Sequence, residues 1–383
     1  MSVRRRNIGS FSRFSLCKYG KISRVIDMSD DPFGDKSGVE PDYEQEPYAN
    51  DSKAFAEHER IYKEATGKRE YLKWIIPGSL GLLYGLVSWL TFTSGPGHDS
   101  SQIVSFSFMF GVPFVMGGIT TLLGYRFCGQ TNYWTHLAPM LTLIFGLALS
   151  VITQLEATLC AVVALPIMLV PVYFGGLLTS VLLKKIKMKV YVSILVFLPY
   201  LATFVESLWE QPQESVEIKD SIRIDASSDV IWKHIASVEE IQEEELPFQW
   251  IYILDFPKPK SAEIDKHGVG GIRLATFERD VTFFEEVTEW DEGKKLSFSI
   301  HADPEFIPQS AFDQHIIVGG RFYDVLDGMY EIEQKSDHCI LHLTSNHRLS
   351  SPFNSYAGFW SEWVMNQIQG SILTVIKNRC EAE

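Results

Sequence analysis

The chain has 383 residues, a formal net charge of −14, 46% hydrophobic residues and five cysteines. Those averages conceal a division: 13 basic and 13 acidic residues lie up to Glu70, 6 and 4 between Tyr71 and Glu210, and 15 and 31 from Gln211 onward, a net of −16 in the last part. An acidic C-terminal part without a basic stripe argues against nucleic acid as a partner, which requires clustered Lys and Arg. The five cysteines form no CxxC pair, so neither a zinc site nor a disulfide framework is indicated.

Residues 1–70 read as a disordered or weakly helical cytoplasmic segment. Met1 to Ile26 holds seven Lys or Arg and no acid, with no apolar core of the kind a secretory signal carries. Three accounts stay open for it: an arm attracted to anionic lipid, a transit peptide, or a true start at Met28. Asp51 to Arg69 can form an amphipathic helix leading into the first apolar stretch.

Residues 71–210 carry five apolar stretches, Leu72–Phe92, Ile103–Leu123, Trp134–Thr153, Leu159–Leu183 and Val190–Leu208. Each is about 20 residues long, enough to cross about 30 Å of hydrocarbon at about 1.5 Å per residue. They predict a five-helix bundle embedded in a lipid bilayer, with Leu159–Leu183, broken by Pro166 and Pro171, as its weakest member. Basic residues mark the cytoplasmic connections. Lys63, Lys68, Arg69 and Lys73 precede the first span, Arg126 lies after the second, and Lys184, Lys185, Lys187 and Lys189 come after the fourth; the other connections hold only Asp99, Glu156 or Glu206. The pattern places the N-terminus in the cytoplasm and the C-terminal domain outside it. No ionisable residue falls at the centre of a span, which disfavours an ion-coupled transporter. Gly78, Gly81 and Gly85 form a small face suited to close helix packing.

From residue 211 the pattern changes to strand-like alternation. Ser215–Ile224 predicts a strand, Asp229–Val238 a short helix, and Phe248–Asp255, Gly271–Phe277, Val281–Trp290, Lys295–His301, Arg321–Gln334 and Cys339–Arg348 further strands, before one long helix over Asn354–Arg379. Strand parity gives the inward positions as Val281, Phe283, Glu285 and Val287; Leu326, Gly328, Tyr330 and Ile332; and Leu341, Leu343, Ser345 and His347. His338, His342 and His347 lie along one strand and do not make a compact metal site, so no metal is expected.

The stretch from Ser221 to Trp232, then Gly268-Val-Gly-Gly-Ile-Arg273, Glu285 to Trp290, Lys295-Leu-Ser-Phe298, Leu326 to Glu333 and the final helix resemble, in order and spacing, the START-like or polyketide cyclase/dehydrase-like (SRPBCC) helix-grip superfamily. The membrane half, with Glu156 and Cys160 to Pro166, looks like that of uncharacterised bacterial proteins carrying such a domain. The resemblance implies an α+β fold, a curved antiparallel sheet around a long C-terminal helix, enclosing a mostly apolar cavity for lipids or other hydrophobic molecules, with no cofactor. Trp250, Arg273, Phe283, Glu285, Tyr330, His347, Tyr356 and Trp360 are the candidate ligand-binding residues. Three functions are compatible with it: a membrane-anchored protein that binds, senses or transfers a hydrophobic ligand; a cyclase- or hydrolase-like enzyme using Glu285 and His347 as acid and base; or a transporter or scaffold regulated by the domain. An ordinary cross-strand pair of Glu285 with Arg273 competes with the catalytic reading.

Overall fold

The computed structural model describes residues 52–93, 104–129, 132–185, 192–206, 208–209, 211–302 and 318–383. The expectations for residues 1–26, Met28 and the connections at 94–103 and 186–191 fall outside them. The chain divides into two units, Met1–Arg60 and Ile61–Glu383. Of the first, residues 52–60 are described, as the helical start of α1.

Helix α1 (Ser52–Thr93) is followed by α2 (Val112–Cys128), α3 (Ala138–Ile152), α4 (Thr158–Lys185) and α5 (Val192–Glu206); α2 and α3 are each entered through one π-type turn, Ser107–Gly111 and Tyr133–Leu137. Four segments are long and apolar enough to cross a membrane: Ile75–Thr93, Ser107–Cys128, Tyr133–Ile152 and Thr158–Lys184. Of the expected fifth span, Val190–Leu208, the structure describes α5 over 15 residues, a rise of about 22 Å, and residues 190, 191 and 207 lie outside the described ones. The stretch expected to be weakest is the longest of the four, at 27 residues. Helix α4, with Pro166 and Pro171 inside it, packs backbone to backbone on α2. A Cβ on Gly117 would lie 2.0 Å from the Val172 carbonyl oxygen, and one on Gly175 would lie 1.9 Å from that of Phe114. Glycine is the residue that permits such an approach.

The C-terminal part comprises β1 (Gln213–Ile224), α6 (Ser228–Ala236), a 3₁₀ turn, α7 (Trp250–Ile253), β2 (Pro259–Ile264), β3 (Ile272–Phe277), β4 (Thr282–Asp291), β5 (Lys295–His301), β6 (Tyr323–Gln334), β7 (Cys339–Ser350) and α8 (Asn354–Ala382). The seven strands form one antiparallel sheet in the order β1-β7-β6-β5-β4-β3-β2. Ile224, Trp232, Val287, Leu296, Tyr330, Leu341 and Leu373 belong to one buried core that draws on β1, α6, β4, β5, β6, β7 and α8. A sheet whose first and fourth strands both reach the same helix is wrapped around it, the helix-grip arrangement.

Three local expectations change. Phe248–Asp255 is the helical turn α7, not a strand, because partners on α8 fix it: the Trp250 amide donates to Gln367 Oε1 at 3.1 Å and the Tyr252 hydroxyl to Ser371 Oγ at 2.8 Å. The edge strand β2 has no counterpart among the strands expected from the sequence; it opens on Pro259, a position an edge strand allows. In β6 the register shifts between Val325 and Asp327, so Leu326 points outward at 37% exposure while Gly328, Tyr330 and Ile332 keep the expected face. A bulge adds one residue and inverts parity on its far side.

Candidate functional site

One cavity of about 850 Å³ is lined both by residues of the sheet and α8 and by residues of the helical bundle. From the sheet side come Arg273, Phe283, Glu285 and Tyr330; from the bundle, Trp89, Met116 and Met168 among others. The bundle meets the domain through particular contacts. The Tyr356 hydroxyl donates to the Val163 carbonyl at 2.6 Å, in the turn of α4 that precedes Pro166. The Phe353 ring stacks on Phe106 and Phe110, at 5.9 and 5.6 Å between centroids. Beside them the Glu206 carboxylate accepts from the Phe106 and Ser107 amides, at 2.6 and 3.0 Å, and from the Ser107 hydroxyl at 2.7 Å. These groups come from the C-terminal end of α5 and the N-terminal ends of α2 and α4.

Inside the domain the lining carries two polar clusters. Arg273 on β3 and Glu285 on β4 are register partners, and the guanidinium donates to the carboxylate at 2.5 Å with both residues buried. The guanidinium also lies 5.4 Å from the Phe298 ring centre and 5.8 Å from that of Tyr330. Burial pushes the Glu285 carboxyl above the usual carboxylate range, against the pull of Arg273. Burial also opposes the charge on Arg273, but Glu285 and Tyr330 outweigh it and hold the guanidinium above its ordinary value. A buried pair of this kind is internally neutral, and its disruption is costly because one charge would be left alone.

The second cluster is a hydrogen-bonded chain across three elements. Gln369 Nε2 on α8 donates to Ser345 Oγ on β7 at 2.8 Å; Ser345 Oγ lies 2.8 Å from His347 Nε2; and His347 Nδ1 lies 2.6 Å from the Tyr323 hydroxyl on β6. Burial lowers the His347 pKa to about 4, so the imidazole is neutral near pH 7. Burial likewise pushes the Tyr323 hydroxyl up, and it stays protonated.

The structure gathers Arg273, Phe283, Glu285, Tyr330, Tyr356 and Trp360 around this one cavity. Two candidates fall elsewhere. Trp250 is 61% exposed, because the α7 turn buries Ile251 in its place. His347 is fully buried behind the lining and reaches it through Ser345 and Tyr323. Glu285 is held by Arg273 and both ring nitrogens of His347 are held by hydroxyls, so no hydrogen bond joins the proposed acid and base. Tyr323 and Gln369 line the cavity and were not among the candidates. The bulge in β6 concealed the first. The second was legible as a polar residue within the apolar stripe of Met365, Ile368, Ile372 and Ile376.

No family model and no curated protein matches the chain. Solved structures similar to it include truncated norcoclaurine synthase from Thalictrum flavum (15% identity, 43% of this chain and 93% of that one, TM-score 0.27). Others are Ara h 8.0201 (10%, 44% and 100%, 0.28) and protein NE0264 from Nitrosomonas europaea (11%, 44% and 95%, 0.28). At such scores the fold rests on the strand order and the α8 core described above, not on the likeness.

Proposed function

We propose that this chain is a membrane-embedded binding protein that takes a hydrophobic ligand, a lipid, from the bilayer into its helix-grip cavity. The observation that carries the proposal is the one cavity lined by both bundle and sheet. A cavity reached through the bundle lets a water-insoluble molecule enter without crossing solvent, and tethering keeps the pocket at high local lipid concentration. Bilayer embedding is supported by an inverted distribution of side chains. Ser88, Thr120, Thr121, Thr142 and Ser180 are buried, whereas Phe145, Phe197, Leu201 and Phe204 are each more than half exposed. In water that outer surface would be an aggregation hazard; in lipid it is the favoured one.

Orientation follows from charge. Lys73, within α1 just before the Ile75–Thr93 segment, and Arg126 and Lys184, near the C-terminal ends of α2 and α4, lie away from the Val163 and Phe106 contacts with the domain, and the Cys128 thiol donates to the Lys73 carbonyl at 3.2 Å. Basic ends in the cytoplasm put the domain on the opposite side. Binding is favoured over catalysis because Glu285 and His347 are occupied by separate partners.

The test is lipid extraction and native mass spectrometry on the full chain, released from its membrane in polymer-bounded discs and exchanged into synthetic lipid. One hydrophobic molecule per chain surviving exchange is expected. A chain that retains nothing above the disc lipid would refute the reading.

A further inference from the structure

The two polar clusters differ in what they leave for a ligand. Arg273 and Glu285 neutralise each other at 2.5 Å. An ionic head group entering the domain half would find the Arg273 and Glu285 charges already paired with each other, and burying a charge without a counterion is unfavourable. At the bundle end, Glu156 accepts from Trp89 Nε1 at 2.6 Å, which gives that carboxylate an internal donor as well.

The chain from Gln369 to Tyr323 is uncharged and can be counted in protons. Ser345 and Tyr323 each bring one hydroxyl proton and the neutral His347 imidazole brings one N–H, three protons for the two links Ser345–His347 and His347–Tyr323. One hydroxyl proton is left over in either tautomer, on Ser345 or on Tyr323. The Ser361 hydroxyl on α8 has no hydrogen-bond partner and adds a further free O–H to the same lining. Ser345, Tyr323 and Ser361 all line the cavity. At the other end of the chain, Gln369 Oε1 has no hydrogen-bond partner and its residue is 2% exposed. The cluster thus has a spare O–H donor and a spare carbonyl acceptor; the other unpartnered buried side-chain atoms described in the domain lining, Arg273 Nε and Trp360 Nε1, are donors.

We infer that the cavity selects an amphiphile whose head is an uncharged hydroxyl, which accepts from the spare O–H and donates to Gln369 Oε1, with its hydrocarbon body extending toward the bundle. This deepens the binding reading and rests on it. A long-chain alcohol and a sterol share that chemistry.

The experiment uses the full chain in phosphatidylcholine nanodiscs doped with equal amounts of octadecanol, cholesterol, octadecyl sulfate, octadecyltrimethylammonium and octadecane. The discs are re-isolated on the protein's tag, and each dopant is quantified against empty discs. One hydroxyl compound should be enriched about tenfold over both ions, the factor that about 1.4 kcal/mol of differential binding produces. Whichever hydroxyl compound it is names the source. Gln369→Met and Ser345→Ala should each bring that enrichment down to the octadecane level without loss of octadecane itself, which certifies an intact cavity. If either ion matches or exceeds the hydroxyl compounds, or if both variants keep the preference, the inference is overturned while the hydrophobic pocket stands. If octadecane and all four others stay at the empty-disc level, the binding reading falls and this one with it.

Discussion

The bundle and the helix-grip domain solve the burial problem in opposite ways. In the domain, large aliphatic and aromatic side chains such as Ile224, Ile231, Leu296 and Leu341 are fully buried, and the charged pair inside is a single register match between two strands. In the bundle, threonines, serines and glycines share the interior with Phe92, Phe108, Leu143 and Met168, while other phenylalanines and leucines cover the outside. On the proposed reading that the bundle lies in lipid, a residue's place depends on the solvent of its region. Apolar surface drives burial only where water is the alternative; among lipid tails, close backbone approach and hydrogen bonding decide the interior.

Perturbations in the two regions should therefore fail for different reasons. The largest loss is expected from Glu285→Leu, about 3–5 kcal/mol, because it strands Arg273 as a buried uncompensated charge. Adding Arg273→Met to it should recover most of that loss, as read from the midpoint of thermal unfolding in detergent. If the double variant is no better than the single, the pair contributes more than mutual neutralisation and the contrast drawn above is too simple. In the bundle the matching experiment is Gly117→Leu. Its Cβ alone would meet the Val172 carbonyl at 2.0 Å, and rigid backbone cannot yield, so a loss of about 3 kcal/mol and a shift out of the monodisperse size-exclusion peak are expected. A tolerated leucine there would mean that α2 and α4 are not in backbone contact.

Acid should act on the domain through His347. Its folded pKa of about 4 lies below the ordinary 6.5. The folded state thus binds fewer protons than the unfolded one between those values, and stability that is full above pH 6.5 falls as pH drops toward 4. About 3 kcal/mol is at stake. His347→Gln should flatten that segment of a stability–pH curve, and an unchanged slope would assign the acid sensitivity to carboxylates. At the joint between the regions, Tyr356→Phe removes one hydroxyl donor from the Val163 carbonyl and should cost about 1 kcal/mol. Smallest of all, Trp250→Ala should change stability by less than about 0.5 kcal/mol and leave ligand retention intact, since its ring lies outside the cavity.

Legibility in the sequence tracks the range of the interactions involved. Continuous apolar runs located the first four bundle helices, because the length needed to cross hydrocarbon is a local property. Period-two alternation located β1, β4, β6 and β7, and resemblance placed α8 against them. Glu285 and Tyr330 were legible as inward residues by parity alone, and Arg273 as the cross-strand partner of Glu285. Parity failed at Leu326, since a bulge is set by the neighbouring strand; the strand expected around Trp250 failed because Gln367 and Ser371, more than a hundred residues away, decide that the segment turns.

The sequence by itself determined the division into an apolar helical region and an acidic alternating one, the sign of charge at each helix end, and the residue types available to a cavity. Tertiary structure alone decided that sheet and bundle line one cavity, that His347 sits behind the lining, and that Gln369, Ser345, His347 and Tyr323 form one chain. The physical reason is that periodicity is fixed within a few residues, whereas a cavity and a hydrogen-bond chain require elements far apart in sequence to be brought within about 3 Å.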